Sequence, residues 1–286
     1  MQIGIIGCGN MGGGMANTLT EKGKKLLCFD SSTATLEKMK QIGCKITNSP
    51  SDLAQKCDLI ILSLPTAKIV RDLMKVISLD IKPGTIIVDT STSEPDTTKA
   101  LSHIANEAHY HFIDGPVSGG PVAANSGTMT MLLGGDKNVI KSIQSTLDLI
   151  TLKTVIVGPS GAGHAAKIAN NMLCAANLVL VSEIVKLGDA CGISSKDLLN
   201  GINAGSGRSG VSEVNFPKWV LNEDYNSGFT MGLMRKDVKL GLELAKKYEV
   251  NAPAFDTIAS IWEESKNSLP DNRDFNEIYK MSKKND

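Results

Sequence analysis

Short apolar runs alternate with longer amphipathic segments through the first half of the chain. Four early runs are almost continuously apolar and end at turn residues, so they predict buried strands. They lie at 2–6, 25–29, 58–64 and 85–89, and later runs lie at 111–114, 128–133 and 154–157. Helical segments separate the runs, one of them at 136–149. This alternation predicts an α/β fold with a doubly wound parallel sheet.

The second half of the chain has helical periods and no convincing strand. Its longest helix is expected to begin around Gly163 and to end near Cys191, before Gly192. At 1.5 Å per residue, such a helix is roughly 40 Å long. Further helices are expected at 195–203, 231–248 and 254–266, with a loop at 203–210. The pattern divides the chain into an α/β domain at 1–162 and an all-helical domain at 163–286 that begins with the long helix.

The long helix is unusually apolar. Between Met172 and Val181 every residue except Asn177 is apolar, which predicts burial on most sides. This is more apolar surface than one small helical domain usually covers. We therefore expect a homodimer or a homotetramer, with C-terminal helices of one chain packing on another.

Composition narrows the classes of function. Among 286 residues, 30 basic and 30 acidic side chains cancel, so no nucleic acid is expected as a partner. No continuous apolar run approaches the ~20 residues of a membrane span, so no membrane is expected either. The 6 cysteines are scattered, and no Cys/His cluster has metal-ligand spacing. Reduced thiols and a chain that opens on a strand predict a cytoplasmic protein. The lack of a Cys/His cluster predicts that no metal site is present.

A glycine-rich sequence, Gly7-Cys-Gly-Asn-Met-Gly12, joins the first predicted strand to a helix. In this G-x-G-x-x-G pattern Gly7 permits a tight turn, and Gly9 lets a pyrophosphate approach the backbone. Gly12 allows close packing of helix on strand. The helix N-terminus, with Asn10 and Met11, offers N–H groups and the positive end of its dipole to phosphates. The placement predicts a dinucleotide site.

Asp30 ends the second predicted strand, 23 residues after Gly7. A carboxylate at this distance is expected to bind the hydroxyls of the adenosine ribose. Asp30 could also cap the helix that follows, and the two roles are compatible. No Arg at 31–33 is present to hold a 2′-phosphate, which the carboxylate would repel. NAD is therefore favoured, although NADP stays possible.

Three further strand ends carry polar or glycine-rich sequence at the edge where parallel sheets bind ligands. They are Leu64-Pro65-Thr66, Asp89-Thr-Ser-Thr92 and Gly115-Pro-Val-Ser-Gly-Gly-Pro121, the last too glycine-rich for regular structure. Ser118 could donate its hydroxyl to a substrate carboxylate, and Gly119 and Gly120 could donate their N–H groups. A purely structural turn fits the same residues equally well.

Lys167 and Asn171 are four residues apart on the long helix and share one face. Taken alone, they also fit a surface lysine and an asparagine that bridges helices. Lys236-Asp237 falls within a predicted helix, where an ordinary exposed pair fits as well as a site. Arg208 in the 203–210 loop is interpreted as a solvated charge.

Together these residues resemble the β-hydroxyacid dehydrogenase family, of the 3-hydroxyisobutyrate, tartronate semialdehyde and glyoxylate/succinic semialdehyde types. The resemblance covers nearly the whole chain and follows the family's order. The motifs are G-x-G-x-x-G, Leu64-Pro65-Thr66, Asp89-x-Ser91-Thr92, Asp114-x-Pro116-Val-Ser-Gly-Gly120, Gly161-x-Gly163-x3-Lys167-x3-Asn171 and Lys236-Asp237.

The resemblance implies an N-terminal Rossmann domain, an all-helical C-terminal domain and hydride transfer between a nicotinamide cofactor and a small hydroxyacid or semialdehyde. Lys167 would act as the general acid and base, and Asn171 would orient the substrate. Ser118, Gly119 and Gly120 would hold its carboxylate. The residues beside the cofactor would include Leu64, Pro65, Thr92 and Lys236. A 3-hydroxyisobutyrate-like substrate fits the sequence after Ser118 best.

Three residues depart from the family pattern or lack a counterpart in it. Gly210 and Val211 stand where many relatives carry a bulky aromatic residue, and His164 is not regular among relatives and is assigned no role. A glyoxylate, succinic semialdehyde or tartronate semialdehyde reductase stays open as an alternative specificity.

Two other enzyme classes of the superfamily and one class of non-enzyme fit parts of the same sequence. A decarboxylating 6-phosphogluconate-type enzyme would carry Lys-x-x-His-Asn, but Asn170 occupies the His position. An imine reductase would usually lack Lys167. An NAD-sensing protein without turnover is the non-enzyme alternative, against which Lys167, Asn171 and Ser118 argue.

Overall fold

The computed structural model describes residues 1–282. The chain forms two compact units, the first spanning Met1–Lys167 and the second beginning at Ile168. A nine-stranded sheet belongs to the first unit, and its strand order begins β3-β2-β1-β4-β5-β6. The strands are β1 (Ile3–Ile6), β2 (Leu26–Phe29), β3 (Lys45–Ile46), β4 (Leu59–Leu62), β5 (Ile86–Asp89), β6 (His111–Asp114), β7 (Val117–Ser118), β8 (Met129–Gly134) and β9 (Thr151–Gly158).

All neighbours from β3 to β6 are parallel, which is the strand order of a Rossmann sheet. The side chains of these strands alternate between two apolar clusters, one on each face. Ile61 belongs to one cluster and its neighbours Ile60 and Leu62 belong to the other. Burial on both faces explains why the strands read as continuous apolar runs. The predicted doubly wound α/β fold is confirmed.

The sheet is mixed beyond β6, which the sequence pattern did not predict. β8 runs antiparallel to β6 and β7, and β9 runs parallel to β8. The segment after Gly115 was expected to lack regular structure, and that expectation is wrong. Val117 and Ser118 form β7 because they pair with Met131 and Thr130 on β8. A short helix then begins at Gly120.

Seven helices of the first unit connect these strands. They are α1 (Asn10–Glu21), α2 (Thr33–Gln41), α3 (Pro50–Ala54), α4 (Ala67–Ile77), α5 (Pro95–Glu107), α6 (Gly120–Ser126) and α7 (Lys137–Leu147). Side-chain oxygens accept a backbone hydrogen bond at the starts of several of them, such as Thr66 before α4 and Asp136 before α7. Such caps satisfy N–H groups that the first helical turn leaves unpaired.

The helix α8 (Ala162–Ala190) begins in the first unit and continues into the second. The remaining elements are helical, as predicted. They are α9 (Ser195–Ala204), a π-helix (Val211–Val220), α10 (Met231–Lys247), α11 (Pro253–Glu264) and two 3₁₀ helices (Ser265–Asn267 and Phe275–Ser282). The π-helix was not predicted, and it contains Pro217, which cannot donate a backbone hydrogen bond. The predicted limits of α8, from about 163 to 191, agree with the structure within one residue.

By length and composition alone, α8 is apolar enough to cross a membrane, which the sequence analysis did not anticipate. Half of its most apolar 18-residue window is buried inside the protein, as in a core helix. Burial was expected on most sides of 172–181, and one face of the helix is exposed. Four apolar side chains on that face are between 43% and 60% exposed, and we name them the apolar stripe: Leu173, Leu180, Ile184 and Leu187.

Candidate active site

The carboxyl ends of the parallel strands lie in one row. Ile6 is in register with Phe29 and Leu62, and Asp89 is in register with Leu62 and Asp114. The residues that follow these strand ends therefore emerge at the same edge of the sheet. This edge is where open α/β sheets bind their ligands.

The protein's own packing requires two glycines of the first loop. Gly7 has a φ of +87°, and a Cβ there would collide with the carbonyl oxygen of Ser63. A Cβ on Gly12 would collide with the carbonyl oxygen of Gly7. The two residues thus allow the tight turn and the close packing of α1, as the sequence analysis expected.

Gly9 differs, because a Cβ built on it would meet no atom within 4 Å. The open space in front of Gly9 fits a pyrophosphate that approaches the backbone. Gly9 is the N-cap residue of α1, whose first residues are Asn10 and Met11, and no side-chain cap hydrogen bond is present there. Helix N-termini of this kind bind phosphates through N–H groups. The loop therefore fits the predicted dinucleotide.

Asp30 is fixed beside this loop. Its Oδ2 accepts a hydrogen bond from the backbone N–H of Cys8 at 2.7 Å. Its Oδ1 accepts from the N–H of Ser32 at 2.8 Å. The cap of α2 is Ser32, whose hydroxyl accepts from Thr35, so the helix-cap interpretation of Asp30 is wrong. A carboxylate has about four acceptor positions, so Asp30 retains capacity for ribose hydroxyls.

The loops after β4 and β5 are joined at the same edge. The backbone N–H of Leu64 donates to the hydroxyl of Ser91 at 3.1 Å. Pro65 follows Leu64 and is exposed, whereas Thr92 follows Ser91 and is half-buried. The structure thus brings the candidate cofactor residues of the first unit to one side of the sheet. Thr66, by contrast, caps α4.

The loop after β6 holds Ser118 through the pairing of β7 with β8. Gly119 and Gly120 then have φ values of +120° and +65°. Residues with a Cβ rarely adopt such angles, so both positions favour glycine. Consecutive backbone N–H groups in turns of this kind can form a concave site for an anion.

Lys167 lies against this loop. Its side chain is on α8, the residue is only 7% exposed, and its Nζ donates to Ser118 Oγ at 2.9 Å. Ser118 Oγ accepts this hydrogen bond, so its own proton stays available to another acceptor. The fold therefore joins two candidate residues that are far apart in sequence.

In the second unit, Asn171 is buried and its Nδ2 donates to Asp237 Oδ2 at 2.5 Å. The other oxygen of Asp237 lies 3.0 Å from Lys236 Nζ. Asp237 is buried, so the interpretation of Lys236-Asp237 as an ordinary exposed pair is wrong for the aspartate. Sequence reasoning assigned no role to Asp237, and its only signal was its position next to Lys236.

Two more buried groups were left without a role. They are Asp114, which belongs to the motif after β6, and His164 on α8, and both are fully buried. Burial raises the pKa of Asp114, while His164 and backbone N–H groups act in the opposite direction. Among residues 1–282, no group of three or more His, Cys, Asp or Glu side chains is arranged to hold a metal ion.

Comparisons with known proteins give consistent results for both halves of the chain. Residues 2–158 match the family model of the NAD binding domain of 6-phosphogluconate dehydrogenase. Residues 161–282 match the model described as NAD-binding of NADP-dependent 3-hydroxyisobutyrate dehydrogenase. These matches cover the glycine loop in the first half and Lys167, Asn171 and Lys236 in the second.

Individual relatives match almost from end to end. The 2-(hydroxymethyl)glutarate dehydrogenase of Eubacterium barkeri is 35% identical over 267 residues, which are 92% of this chain and 88% of that one. The mitochondrial 3-hydroxyisobutyrate dehydrogenase of Drosophila melanogaster is 31% identical, with 99% and 89% covered. The structure of Mycobacterium tuberculosis 3-hydroxyisobutyrate dehydrogenase with L-serine has a TM-score of 0.92 at 26% identity, with 99% and 100% covered.

The open space at Gly9 generates a test of the nicotinamide dinucleotide site. Gly9→Ala is expected to weaken NADH binding by at least about tenfold, because the new methyl group occupies the space of the pyrophosphate. Stability should fall by less than about 1 kcal/mol, since a Cβ there meets no protein atom. Fluorescence titration and urea denaturation measure the two effects.

The matched control is Gly201→Ala, where a Cβ also meets open space. Gly201 lies in α9, so NADH affinity should stay at the wild-type value. Unchanged NADH affinity in Gly9→Ala would contradict the assignment.

Proposed function

The chain belongs to the β-hydroxyacid dehydrogenase family of nicotinamide-dependent enzymes, and we propose that it interconverts a small 3-hydroxyacid and its semialdehyde with NAD(H). The favoured substrate is of the 3-hydroxyisobutyrate type. One observation carries the proposal: the buried Lys167 amine is hydrogen-bonded to Ser118 in a glycine turn. This arrangement joins a proton donor to a candidate carboxylate site.

Lys167 is the proposed general acid and base. In oxidation it accepts the proton of the substrate hydroxyl, and in reduction it returns that proton to the nascent alkoxide. Its hydrogen bond to Ser118 keeps Nζ in one position. A nicotinamide dinucleotide held by the glycine loop and Asp30 would supply the hydride chemistry at the carbinol carbon. The protein supplies position and proton transfer.

Ser118, Gly119 and Gly120 are the proposed carboxylate site. Ser118 accepts from Lys167, so its hydroxyl proton can point to a carboxylate oxygen. The positive φ values of both glycines suit a backbone that presents N–H groups to an anion. A carboxylate held there would fix which carbon of the substrate meets the cofactor.

Asn171 is proposed to orient the substrate, and its own orientation has an identifiable cause. Its Nδ2 donates to Asp237, and its Oδ1 accepts from Asn170 at 3.1 Å. Asp237 thereby fixes which end of the amide carries the oxygen. Lys236 is proposed to contact the cofactor. The other proposed cofactor residues are Gly7, Gly9, Asn10, Met11, Gly12, Asp30, Leu64, Pro65 and Thr92.

The names of two relatives support the substrate class. 2-(Hydroxymethyl)glutarate and 3-hydroxyisobutyrate both carry a hydroxymethyl group on the carbon next to a carboxylate. We propose that this shared unit is what the chain recognises. Glyoxylate, succinic semialdehyde and tartronate semialdehyde remain the alternative substrates, and an assay panel of all five compounds in both directions discriminates between them.

The apolar stripe on α8 supports the proposal of a homodimer or homotetramer. Its members follow one another at intervals of 7, 4 and 3 residues, so they lie on one helix face. Four exposed apolar side chains on one helix face favour a partner, and we propose a second copy of this chain. The cytoplasm stays the predicted location, although several relatives are named mitochondrial.

Replacing Lys167 tests the catalytic role. Lys167→Ala is expected to lower kcat by at least about a hundredfold, because general acid–base catalysis contributes 10²–10⁴-fold. NADH affinity should hardly change, since the proposed pyrophosphate and ribose contacts lie at Gly7–Gly12 and Asp30. Lys167→Arg should not restore turnover, because guanidinium is larger and stays protonated.

The control is Lys141→Ala, an exposed lysine on α7, which should keep wild-type kcat. Turnover with the best panel substrate and NADH titration are measured on the same preparations. A Lys167→Ala enzyme that keeps more than a tenth of wild-type kcat would falsify the catalytic role.

Exchanging the charge at Asp30 tests the cofactor preference. Asp30→Asn combined with Ser31→Arg should move the ratio of kcat/KM for NAD and NADP toward NADP by at least about tenfold. The change removes repulsion of a 2′-phosphate and adds a partner for it. Asp136→Asn is the control, because Asp136 also accepts backbone hydrogen bonds but caps α7. Equal use of both cofactors by the wild-type enzyme would contradict the preference.

Light scattering tests the assembly. The wild-type chain should be at least a dimer at micromolar concentration, and Leu180→Glu should shift it toward monomer by placing a charge in the apolar stripe. Leu79→Glu is the control, since Leu79 is exposed but follows α4 and is not a member of the stripe. A monomeric wild-type chain would refute the proposal.

A further inference from the structure

A buried polar cluster surrounds the start of α8, and the proposed mechanism uses none of its side chains. Its members are Asp114, His164 and Thr98, all buried within the first unit. We propose that Asp114 and His164 are positioning residues that hold Lys167 against Ser118. This inference rests on the proposed function of Lys167, since it assigns the residues that place this amine.

Asp114 accepts two hydrogen bonds at the start of α8, one from the residue before the helix and one from its first turn. Its Oδ1 accepts from the N–H of Gly161 at 2.8 Å, and its Oδ2 accepts from the N–H of His164 at 2.9 Å. These N–H groups lie where a helix has no internal partner. The positive end of the helix dipole also favours a negative charge there. The carboxylate therefore fixes the position of the first turn along the helix axis and its rotation about that axis.

Two glycines allow the backbone to approach the carboxylate of Asp114 closely. A Cβ on Gly134 would lie 2.6 Å from each oxygen of Asp114. A Cβ on Gly163 would lie 2.8 Å from Oδ2. Backbone thus encloses the carboxylate on two sides, and the residue has no exposed surface. Asp114 cannot reach a substrate, so its contribution is geometric.

The ring of His164 ties the same turn to two other segments. Its Nδ1 lies 2.7 Å from Thr98 Oγ1 on α5, and its Nε2 lies 3.0 Å from the carbonyl oxygen of Ser91. A carbonyl only accepts, so Nε2 carries a proton, and Nδ1 accepts from the Thr98 hydroxyl in the neutral ring. Ser91 directly precedes Thr92, a proposed cofactor residue. The ring thereby connects the start of α8 to the loop after β5, at the carboxyl ends of the parallel strands.

These contacts determine where the catalytic amine lies. Lys167 follows His164 by three residues, which is almost one helical turn. Asp114 is the last residue of β6, and Ser118 follows it by four residues as the last residue of β7. The segments that supply Lys167 Nζ and Ser118 Oγ are therefore joined by the hydrogen bonds of Asp114. Loosening this joint would move Nζ relative to Oγ without removing either group.

A conservative substitution pair at Thr98 tests the proposal. Thr98→Val removes the hydroxyl that fixes the His164 ring and keeps nearly the same volume. We expect kcat to fall about tenfold, because displacements near 1 Å can cost up to a hundredfold, while NADH affinity stays within twofold. Thr98→Ser restores the hydroxyl and should restore most of kcat. Asp114→Asn, which presents an NH₂ group to one of the two N–H donors, should lower kcat further.

Thr85→Val is the matched control, since Thr85 is also buried and donates its hydroxyl to Cys57 at 3.2 Å before β5. Its kcat should equal the wild-type value. If Thr85→Val and Thr98→Val lower kcat equally, or if Thr98→Val and Asp114→Asn both keep wild-type kcat, the positioning role is overturned.

A double variant separates positioning from general damage. In a Lys167→Ala background, adding Thr98→Val should cause no further loss of kcat. The positioning residues act through the Lys167 side chain, which is already absent in this background. A second tenfold loss there overturns the proposal. If Lys167→Ala alone keeps wild-type turnover, the proposed catalytic function fails. If Lys167→Ala loses turnover while Thr98→Val and Asp114→Asn both keep it, only the positioning role fails.

Discussion

The register of the parallel strands is the constraint on which the first unit depends. Ile6, Phe29, Leu62, Asp89 and Asp114 end their strands in one row. Hydrogen bonds between neighbouring strands set this row, and a slip by one residue would turn each buried side chain to the opposite face. The side chains of these strands alternate between two apolar clusters, and this alternation helps to fix the register. The register in turn fixes the edge from which the candidate ligand-binding loops of this unit emerge.

The sequence predicts best what a local steric rule governs. Gly7 and Gly12 are needed because any Cβ there would collide with backbone, and their spacing is visible in the chain. The limits of α8 are equally local, since Gly192 follows it with a φ of +76°. By contrast, β7 exists only through pairing with β8, and the turn chemistry of its own residues indicates no strand. Propensity does not report such long-range pairing.

Buried polar side chains define the other limit of prediction. A sequence shows that residues 114, 164 and 237 are Asp, His and Asp, but not that each is buried. Burial without partners would be costly, so each must be hydrogen-bonded once the fold removes it from water. Their partners lie far along the chain: the bond of Asp114 to Gly161 joins residues 47 apart, and the bond of His164 to Ser91 joins residues 73 apart. Only the assembled fold identifies these pairs.

A buried polar cluster at the start of α8 is reasonable for an enzyme even though apolar packing would stabilise the fold at least as well. Apolar contacts are non-directional and tolerate small rotations of a helix. The two oxygens of Asp114, by contrast, accept from two particular N–H groups, and the ring of His164 has one partner on each nitrogen. Directional bonds with every partner satisfied define a single arrangement. Lys167 benefits directly from this single arrangement, because its Nζ lies 2.9 Å from the Ser118 hydroxyl and proton transfer requires hydrogen-bond distance.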